Sequence, residues 1–305
     1  VGAVGLLGLF NYFEFRRDLK NAEYRVKTQQ KFIRSKFGQI YYGKQGDGPL
    51  VLVVHGAGGG FDQAFQFAKI FSQEFEWIAP SRFGYLGTTL PKDASSQAQA
   101  EAHVALLDAL KIDRVPIIGL SAGGPSALHF ALRYPERCSG LVMVSAISKA
   151  MIDVASNPEV MEKLLSAFLA NEWLIWLAMK LVSRKAIPPA GVPLQIIKSL
   201  DEQDTHWLKE LLNDILPIEP RRPGLVNDFS QVYKLDIFPT GQIKAPTLII
   251  HAKDDSLVSI KHGRFSTELI PNAKLVELPN GGHLLLGQRK RVQTEVEQFL
   301  SKVIT

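Results

Sequence analysis

A serine between glycines is the clearest sign of chemistry in this sequence. Ser121 lies in the glycine-rich run 119–124, directly after the apolar stretch 115–118 and directly before a helical pattern. A serine on a sharp strand-to-helix turn has strained backbone geometry and an exposed hydroxyl, and nearby glycines remove side chains that would collide there. An ordinary glycine-rich turn is the alternative, which the strand and helix context disfavours. We therefore expect Ser121 to be a nucleophile.

A second glycine-rich loop, at 55–60, follows the apolar run 50–54. Acyl transfer passes through an oxyanion that needs two fixed N–H donors, and such a loop beside the nucleophile can supply one. We expect the first donor to be Ala57 and the second to be Ala122, the residue after the nucleophile. A dinucleotide-binding loop would need glycine at the position of Phe61, so the sequence predicts no such cofactor site.

A nucleophilic serine needs a base, and the base needs a carboxylate that orients it. Among the seven histidines, His283 is the best candidate because its glycine-containing loop follows the predicted strand 274–278. Parallel α/β sheets build their sites in loops of this kind. The carboxylate should come from the loop after 247–250, where Asp254 and Asp255 are adjacent. The residues alone leave both aspartates open.

The elements that would position these residues alternate along the chain. Continuous apolar runs are typical of strands that are buried on both faces of a sheet, and helical patterns between them indicate a parallel α/β sheet. The predicted strands are 39–42, 50–54, 77–79, 115–118, 141–144, 247–250 and 274–278. The predicted helices are 21–36, 62–74, 95–110, 122–134, 261–269 and 288–303.

One long segment interrupts this alternation. From 148 to 243 we predict no strand, and Leu, Trp and Met recur at helical spacing. One helix face would carry the apolar side chains of Leu165, Leu169, Trp173 and Trp176. We divide the chain into an N-terminal segment, an α/β core and a helical insertion, at 1–38, 39–147 with 244–305, and 148–243.

The N-terminal run 1–10 is wholly apolar, and the basic residues Arg16, Arg17 and Lys20 follow it. Ten residues are too few to span a bilayer, which needs about 20. Basic residues directly after an uncharged run are typical of the flank of a membrane segment. We therefore favour the remnant of a membrane anchor, with membrane association through the N-terminus, over a helix that packs on the body. Without such an anchor we expect a cytoplasmic protein.

Composition excludes several classes of partner. The 305 residues are 46% hydrophobic, enough for one large α/β domain. The formal net charge of +5 is scattered along the chain, so we expect no nucleic-acid partner. The single cysteine, Cys138, cannot form an internal disulfide, and no ligand spacing indicates a metal site. We expect neither a metal nor a cofactor.

Taken in order, these motifs resemble the α/β-hydrolase superfamily from about Gln39 to the C-terminus. The resemblance rests on the segments 55–60, 81–88, 119–124, 255–258 and 282–283. It implies a mostly parallel, doubly wound sheet with an inserted helical cap, and a triad in the chain order Ser, Asp, His. In the family the acid stands three residues before a Val or Ile. This selects Asp255, which precedes Val258, rather than Asp254.

Within the superfamily, the resemblance is closest to the capped branch of esterases, epoxide hydrolases, haloperoxidase-like enzymes and meta-cleavage-product C–C hydrolases. Ser121 stands where epoxide hydrolases and haloalkane dehalogenases carry Asp, which disfavours those activities. Leu284 stands where C–C hydrolases usually carry Trp. The resemblance therefore implies a carboxylesterase-type serine hydrolase first, acting on esters of small to medium apolar acyl groups, and a C–C bond hydrolase second.

The insertion should distinguish these activities. Inserted between two core strands, it should lie over Ser121, and we expect Phe168, Trp173 and Trp176 to line an acyl pocket. A C–C hydrolase would need a cation for its substrate carboxylate, for which the insertion offers Lys180, Arg184 and Lys185. A non-catalytic binding module on the same fold is a third hypothesis, because fold alone does not imply function.

Overall fold

Strands and helices alternate in the computed structural model as the sequence predicts. The structure describes residues 2–151, 171–183, 188–189, 191–235 and 239–304, and only the backbone of residues 2–10 and 183. Its strands are β1 (Lys31–Ser35), β2 (Gly38–Gln45), β3 (Leu50–Val54), β4 (Glu76–Pro80), β5 (Val115–Leu120), β6 (Cys138–Val144), β7 (Thr247–Ala252) and β8 (Ala273–Leu278). Its helices are α1 (Gly2–Gln29), α2 (Phe61–Phe71), α3 (Ser96–Ala109), α4 (Gly124–Arg133), α5 (Glu172–Ser183), α6 (Leu194–Lys198), α7 (Glu202–Asn213), α8 (Arg222–Val232), α9 (Lys261–Leu269) and α10 (Arg289–Val303).

The strands of the described ranges form one sheet in the order β1-β2-β4-β3-β5-β6-β7-β8. β2 pairs antiparallel with both β1 and β4, and every pairing from β4 to β8 is parallel. The carboxyl ends of the parallel strands therefore lie at one edge of the sheet, where such folds build their sites. The predicted mostly parallel α/β sheet is confirmed.

The side chains of strand β3 show that helices cover both faces of this sheet. Val51 and Val53 pack in the same cluster as residues of α2 and α10, whereas Leu52 and Val54 pack with residues of α3 and α4. Successive side chains of a strand point to opposite faces, so an uninterrupted apolar run fits a strand with a helical layer on each side.

One predicted helix is too long. The sequence predicts a helix over 21–36, whereas α1 ends at Gln29 and Lys31–Ser35 forms the edge strand β1. β1 pairs with β2 alone and carries exposed charged residues, Lys31 and Arg34. An edge strand with a solvated face lacks the continuous apolar run by which the inner strands are identified.

Helices α5 to α8 lie between β6 and β7, and the described part of 148–243 contains no strand. Two buried ion pairs join these helices to the elements around the sheet. Arg221 donates to Asp62 of α2 at 3.0 and 2.6 Å, and Arg82 donates to Asp228 of α8 at 2.7 and 2.5 Å. Removing one partner of such a pair leaves an uncompensated buried charge, so these contacts fix the position of the inserted helices.

Helix α1 packs on the inserted helices along one face. Phe15, Leu19 and Ala22 are buried in a cluster with Ile175 and Trp176 of α5. Their spacing of four and three residues places them on the same side of the helix. None of the helices in the described ranges is long and apolar enough to cross a membrane. The side chains of residues 2–10 lie outside the described part of the chain, so the anchor predicted from the run 1–10 stays a prediction.

The packed face of α1 yields a matched pair of substitutions. Phe15 is 6% exposed and Phe13, two residues away on the same helix, is 63% exposed. We expect Phe15→Ala to lower the free energy of unfolding by about 3–5 kcal/mol because it leaves a cavity beside Trp176. Phe13→Ala should change it by less than about 0.5 kcal/mol. Urea unfolding of both variants measures the difference, and equal losses would contradict the packing of α1 on α5.

Candidate active site

Ser121 lies on the turn between β5 and α4, where a short 3-10 helix, Ser121–Gly123, begins. Its φ of 47° is in the left-handed region, which a residue with a side chain rarely adopts. The neighbouring glycines make the turn sterically feasible. A Cβ on Gly119 would lie 2.8 Å from the Cβ of Ala127, and one on Gly123 would lie 2.6 Å from the carbonyl oxygen of His55. The predicted strained turn is therefore present.

The imidazole of His283 joins Ser121 to Asp255. His283 Nε2 lies 2.9 Å from Ser121 Oγ, and Nδ1 lies 2.8 Å from Asp255 Oδ2. The carboxylate accepts a hydrogen at Nδ1, which leaves Nε2 as the basic nitrogen that faces the hydroxyl. The backbone amide of His283 donates to the carbonyl of Gly191 at 2.8 Å, which holds the loop that carries the imidazole. The structure thus brings the three predicted residues together in hydrogen-bonding contact.

The carboxylate of Asp255 is fixed on both oxygens. Oδ1 accepts from the amides of Leu257 and Val258, each at 2.9 Å, while Oδ2 faces His283. Burial by itself would raise the pKa of Asp255, but hydrogen bonds from His251 and His283, the charge of His283 and the Val258 amide lower the pKa to about 2. Asp255 is therefore ionised at neutral pH.

Asp254 makes different hydrogen bonds from Asp255. Its oxygens accept from the amides of Gly281 and Gly282, at 3.3 and 2.8 Å. These glycines directly precede His283, so Asp254 fixes the loop that carries the imidazole. An aspartate in such a loop that is not the acid could be an ordinary solvated turn residue, but Asp254 instead makes this positioning contact.

His251 is a further buried neighbour of Asp255. Its Nε2 lies 2.7 Å from the carbonyl oxygen of Val258 and 3.3 Å from Asp255 Oδ2. Both neighbours are acceptors, so Nε2 carries the hydrogen. The i, i+4 spacing of His251 and Asp255 across the end of β7 is the only sequence signal for this contact. Within the described ranges, no group of three or more His, Cys, Asp or Glu could hold a metal ion.

The glycine-rich loop after β3 lies directly beside the nucleophile. A Cβ on Gly56 would approach the Cβ of Ser121 to 3.0 Å, an unusually tight contact, so a glycine lets this backbone lie close without displacing Ser121. Ala57 lines the same cavity as Ser121, and Ala122 follows Ser121 at the start of the turn. This placement is compatible with two oxyanion donors, whose assignment to Ala57 and Ala122 stays a prediction.

A buried hydrogen-bond network holds the glycine-rich loop in place. His55 Nε2 accepts from the amide of Arg82 at 2.9 Å, which leaves Nδ1 to donate to the carbonyl of Gly56 at 2.7 Å. Burial, and then the nearby charge of Arg82, lower the pKa of His55 well below its usual range. The Tyr85 hydroxyl accepts from the amide of Gly58 at 3.1 Å and donates to Asp228 at 2.5 Å. These contacts give His55 a structural role in positioning the loop.

Ser121 and His283 open into a largely apolar cavity of about 400 Å³. Its apolar side chains include Phe67, Ala178, Met179, Val182, Leu211, Leu212, Ile215, Leu257 and Leu284. Polar side chains in the lining are Gln63 and Ser145, besides Ser121 and His283, and the described lining contains no Lys or Arg. Such a cavity favours an uncharged, apolar group next to the serine.

The predicted pocket tryptophans lie elsewhere. Trp176 is buried against Phe15 of α1, and its Nε1 donates to Asp18 at 3.0 Å. Trp173 packs on the same cluster, and neither side chain is in the described lining of the cavity. Helix α1 covers the face of α5 that carries the tryptophans, so a different face of α5 is directed towards Ser121. The spacing of residues in the sequence does not reveal which face is covered. Phe168, the third predicted pocket residue, lies outside the described residues.

The geometry predicts how the two aspartates differ in their effect on Ser121. A fluorophosphonate should label Ser121, because a serine hydrogen-bonded to a base displaces its fluoride. We expect Asp255→Asn to slow this labelling by about 10³–10⁴-fold, since the imidazole would then adopt the wrong tautomer. Asp254→Asn is the matched control and should slow it less than about tenfold. Labelling rates followed by mass spectrometry measure both, and comparable rates in the two variants would contradict the assignment.

Comparisons with known proteins agree with this architecture. The family model described as alpha/beta hydrolase fold matches residues 49–183 and 196–289. An uncharacterized hydrolase from Bacillus subtilis, YcgS, is 30% identical over 88% of this chain and 96% of its own. A 2-hydroxy-6-oxo-6-phenylhexa-2,4-dienoate hydrolase from Comamonas testosteroni is 26% identical over 80% of this chain and 84% of its own.

A solved structure has the same arrangement. An alpha/beta hydrolase fold protein from Nakamurella multipartita superposes with a TM-score of 0.74, at 28% identity, over 89% of this chain and 98% of that one. The matched residues of the family model include Ser121, Asp255 and His283. The chain therefore belongs to the α/β-hydrolase fold family.

Proposed function

We propose that this protein is a serine hydrolase that cleaves carboxylic esters of small to medium apolar acyl groups. The observation that carries the proposal is the hydrogen-bonded series Ser121, His283 and Asp255 at the wall of an apolar cavity. A nucleophile, a base and an orienting acid are what acyl transfer requires, and an apolar cavity supplies the binding energy for an acyl chain.

In the first step Ser121 Oγ attacks the ester carbonyl while His283 Nε2 takes the hydroxyl proton. The negative charge on the carbonyl oxygen would be stabilised by the amides of Ala57 and Ala122. Asp255, ionised at neutral pH, stabilises the imidazolium that forms. When the tetrahedral intermediate collapses, the C–O bond to the alcohol breaks and His283 gives its proton to the leaving oxygen. The acyl group then remains on Ser121.

In the second step water takes the place of the alcohol. His283, neutral again, removes a proton from water, which attacks the acyl carbon of the ester formed with Ser121. Collapse of the second intermediate returns the proton to Ser121 Oγ and releases the carboxylic acid. Each triad residue ends in its starting state, so no cofactor is consumed.

The cavity defines the substrate class within this proposal. We assign 148–243 as a cap over the core formed by 39–147 and 244–305, since α5 and α7 of this segment supply much of the apolar lining. Each methylene of a substrate buried in such a cavity contributes about 0.8 kcal/mol, or about fourfold in binding. Butyryl and hexanoyl esters should therefore react better than acetyl esters.

A C–C bond hydrolase is the second candidate, favoured by the Comamonas testosteroni relative that is named for such a dienoate substrate. A dienoate carries a carboxylate, which a Lys or Arg in the cavity would bind. Lys180 is instead paired with Asp18 of α1 at 3.0 Å. Arg184 and Lys185 lie outside the described residues. The third hypothesis, a non-catalytic binding module, has least support because the three side chains needed for catalysis are in hydrogen-bonding contact.

The cavity wall offers a test of the acyl pocket. Val182 lines the cavity, whereas Leu181, its neighbour on α5, is 41% exposed. We expect Val182→Phe to lower kcat/KM for p-nitrophenyl hexanoate at least about tenfold relative to the acetate, because the ring occupies the space of two to three methylenes. Leu181→Phe should leave the ratio unchanged. Steady-state rates for acetyl, butyryl and hexanoyl esters give both ratios.

The same assay should include a meta-cleavage product to separate the two activities. Wild-type turnover of the p-nitrophenyl esters well above that of the meta-cleavage product supports the ester proposal. Cleavage of the meta-cleavage product alone would establish the second candidate instead. If the protein shows a normal melting transition but turns over neither the esters nor the meta-cleavage product, both proposed activities are overturned.

A further inference from the structure

A second imidazole, that of His251, contacts the carboxylate of Asp255. His251 is fully buried near the end of β7. Its Nε2 lies 3.3 Å from Asp255 Oδ2, the same oxygen that His283 Nδ1 approaches to 2.8 Å. The Nε2 also lies 2.7 Å from the carbonyl oxygen of Val258. One carboxylate oxygen therefore faces two imidazole nitrogens, one from His283 and one from His251.

Within the described residues, only one nitrogen of the His251 ring has a hydrogen-bond partner. The other nitrogen, Nδ1, is buried and makes no hydrogen bond to this part of the chain. It lies against the backbone of α9, where a Cβ on Gly263 would be 3.2 Å from it. A buried nitrogen without a partner costs free energy that an apolar side chain would avoid. The contacts of Nε2 therefore indicate a role for this imidazole that packing alone does not explain.

We propose that His251 is a positioning residue that, through Asp255, sets how strongly His283 acts as a base. An N–H that donates to Oδ2 stabilises the ionised carboxylate and weakens its attraction for the imidazolium of His283. The bond from His251 to the Val258 carbonyl holds the same turn, because the Val258 amide donates to Asp255 Oδ1. This role rests on the serine-hydrolase function proposed above, since it concerns the same three side chains.

The charge balance at Asp255 supports this role. Burial raises the pKa of Asp255, and the hydrogen bonds of His251 and His283 are the main contributions that lower the pKa to about 2. Without the N–H of His251, the carboxylate would have one donor fewer. It would then attract a proton on His283 more strongly, and the imidazole would become a free base only at higher pH.

Two other titratable groups lie close to His251 and do not account for such an effect. Burial, and then the charge of Lys149, lower the pKa of His262 of α9 to about 4. Glu277 neighbours His251 in the register of β7 and β8, and the hydrogen bond from Arg264 lowers its pKa. Both groups therefore keep their charge state above about pH 5. Further charged side chains at this end of β7 are Lys253 and Asp254.

The pH dependence of Ser121 labelling by a fluorophosphonate tests the proposal without a known substrate. The labelling rate rises as His283 becomes a free base, so the midpoint of the pH–rate profile reports on this imidazole. We expect His251→Leu to raise the midpoint by at least about 0.5 pH unit, because Asp255 loses a donor. His251→Gln keeps an amide donor and should restore the midpoint to within about 0.2 pH unit of the wild type.

The matched control is His103→Leu, which removes another fully buried imidazole, one whose Nε2 lies 3.2 Å from Ser126 Oγ. This variant should leave the midpoint unchanged, and circular dichroism melting of each variant checks the fold. A structural role alone would lower the maximum labelling rate of His251→Leu and leave its midpoint in place. That result, or a failure of His251→Gln to restore the midpoint, would overturn the proposal.

A measurement on the wild-type protein needs no variant. With isotope-labelled histidine, two-bond proton–nitrogen NMR spectra distinguish the tautomers of an imidazole, and we expect His251 to carry its hydrogen on Nε2. A hydrogen on Nδ1 alone would overturn the proposal, because Nε2 could then donate to neither acceptor. Failure of the fluorophosphonate to label wild-type Ser121 would overturn the serine-hydrolase function and this role with it. A labelled protein with an unmoved midpoint would overturn the role of His251 alone.

Discussion

The backbone turn at Ser121 is the constraint on which the rest of the site depends. At a φ of 47° the serine projects from the end of β5 into space that must be free of other side chains. Gly56 and Gly123 provide that space, since a Cβ on Gly123 would collide with the carbonyl of His55 and one on Gly56 would crowd Ser121. The strain is maintained by a strand that is buried on both faces and held by parallel neighbours. The imidazole of His283 and the glycine-rich loop are both arranged around this fixed hydroxyl.

Buried charges extend this constraint to the inserted helices. Arg82 contacts His55 beneath the glycine-rich loop and also donates to Asp228 of α8, so the loop and the insertion share one network. Arg221 in the insertion donates to Asp62 at the start of α2, the helix that follows the same loop. Charged groups this deeply buried require their partners, which couples the position of the insertion to the site beneath it.

The sequence predicts the elements whose signal is local and misses the contacts that depend on tertiary packing. The apolar strands and the serine turn are identified because burial on both faces and the glycines leave a pattern in the sequence. Strand β1 is missed because its exposed edge resembles a polar helix. Trp176 is assigned to the cavity because its spacing defines a helix face, but spacing does not say which neighbour covers that face. The contact of Asp254 with Gly282 arises only when β7 and β8 lie side by side. The contact of His251 with Asp255 depends on how the loop after β7 folds back over the end of the strand.

The choice between the two aspartates shows where physical reasoning from sequence ends. The sequence alone does not show which of two adjacent carboxylates in a loop faces the histidine, because this depends on the conformation of the turn. The choice of Asp255 therefore rests on the resemblance to a family. The structure supplies the reason, because the amides of Leu257 and Val258 turn this carboxylate towards His283. Asp254, one residue earlier, faces the amides of the histidine loop instead.

The central claim is that Ser121 carries the acyl group during turnover, and acid quenching during steady-state hydrolysis of p-nitrophenyl butyrate tests it most directly. Peptide mass spectrometry should then find a butyryl group on the peptide that contains Ser121, and no such adduct in Ser121→Ala, which should also lose turnover. Undiminished hydrolysis by Ser121→Ala, or a butyryl group on a different residue of the wild-type protein, would contradict the account.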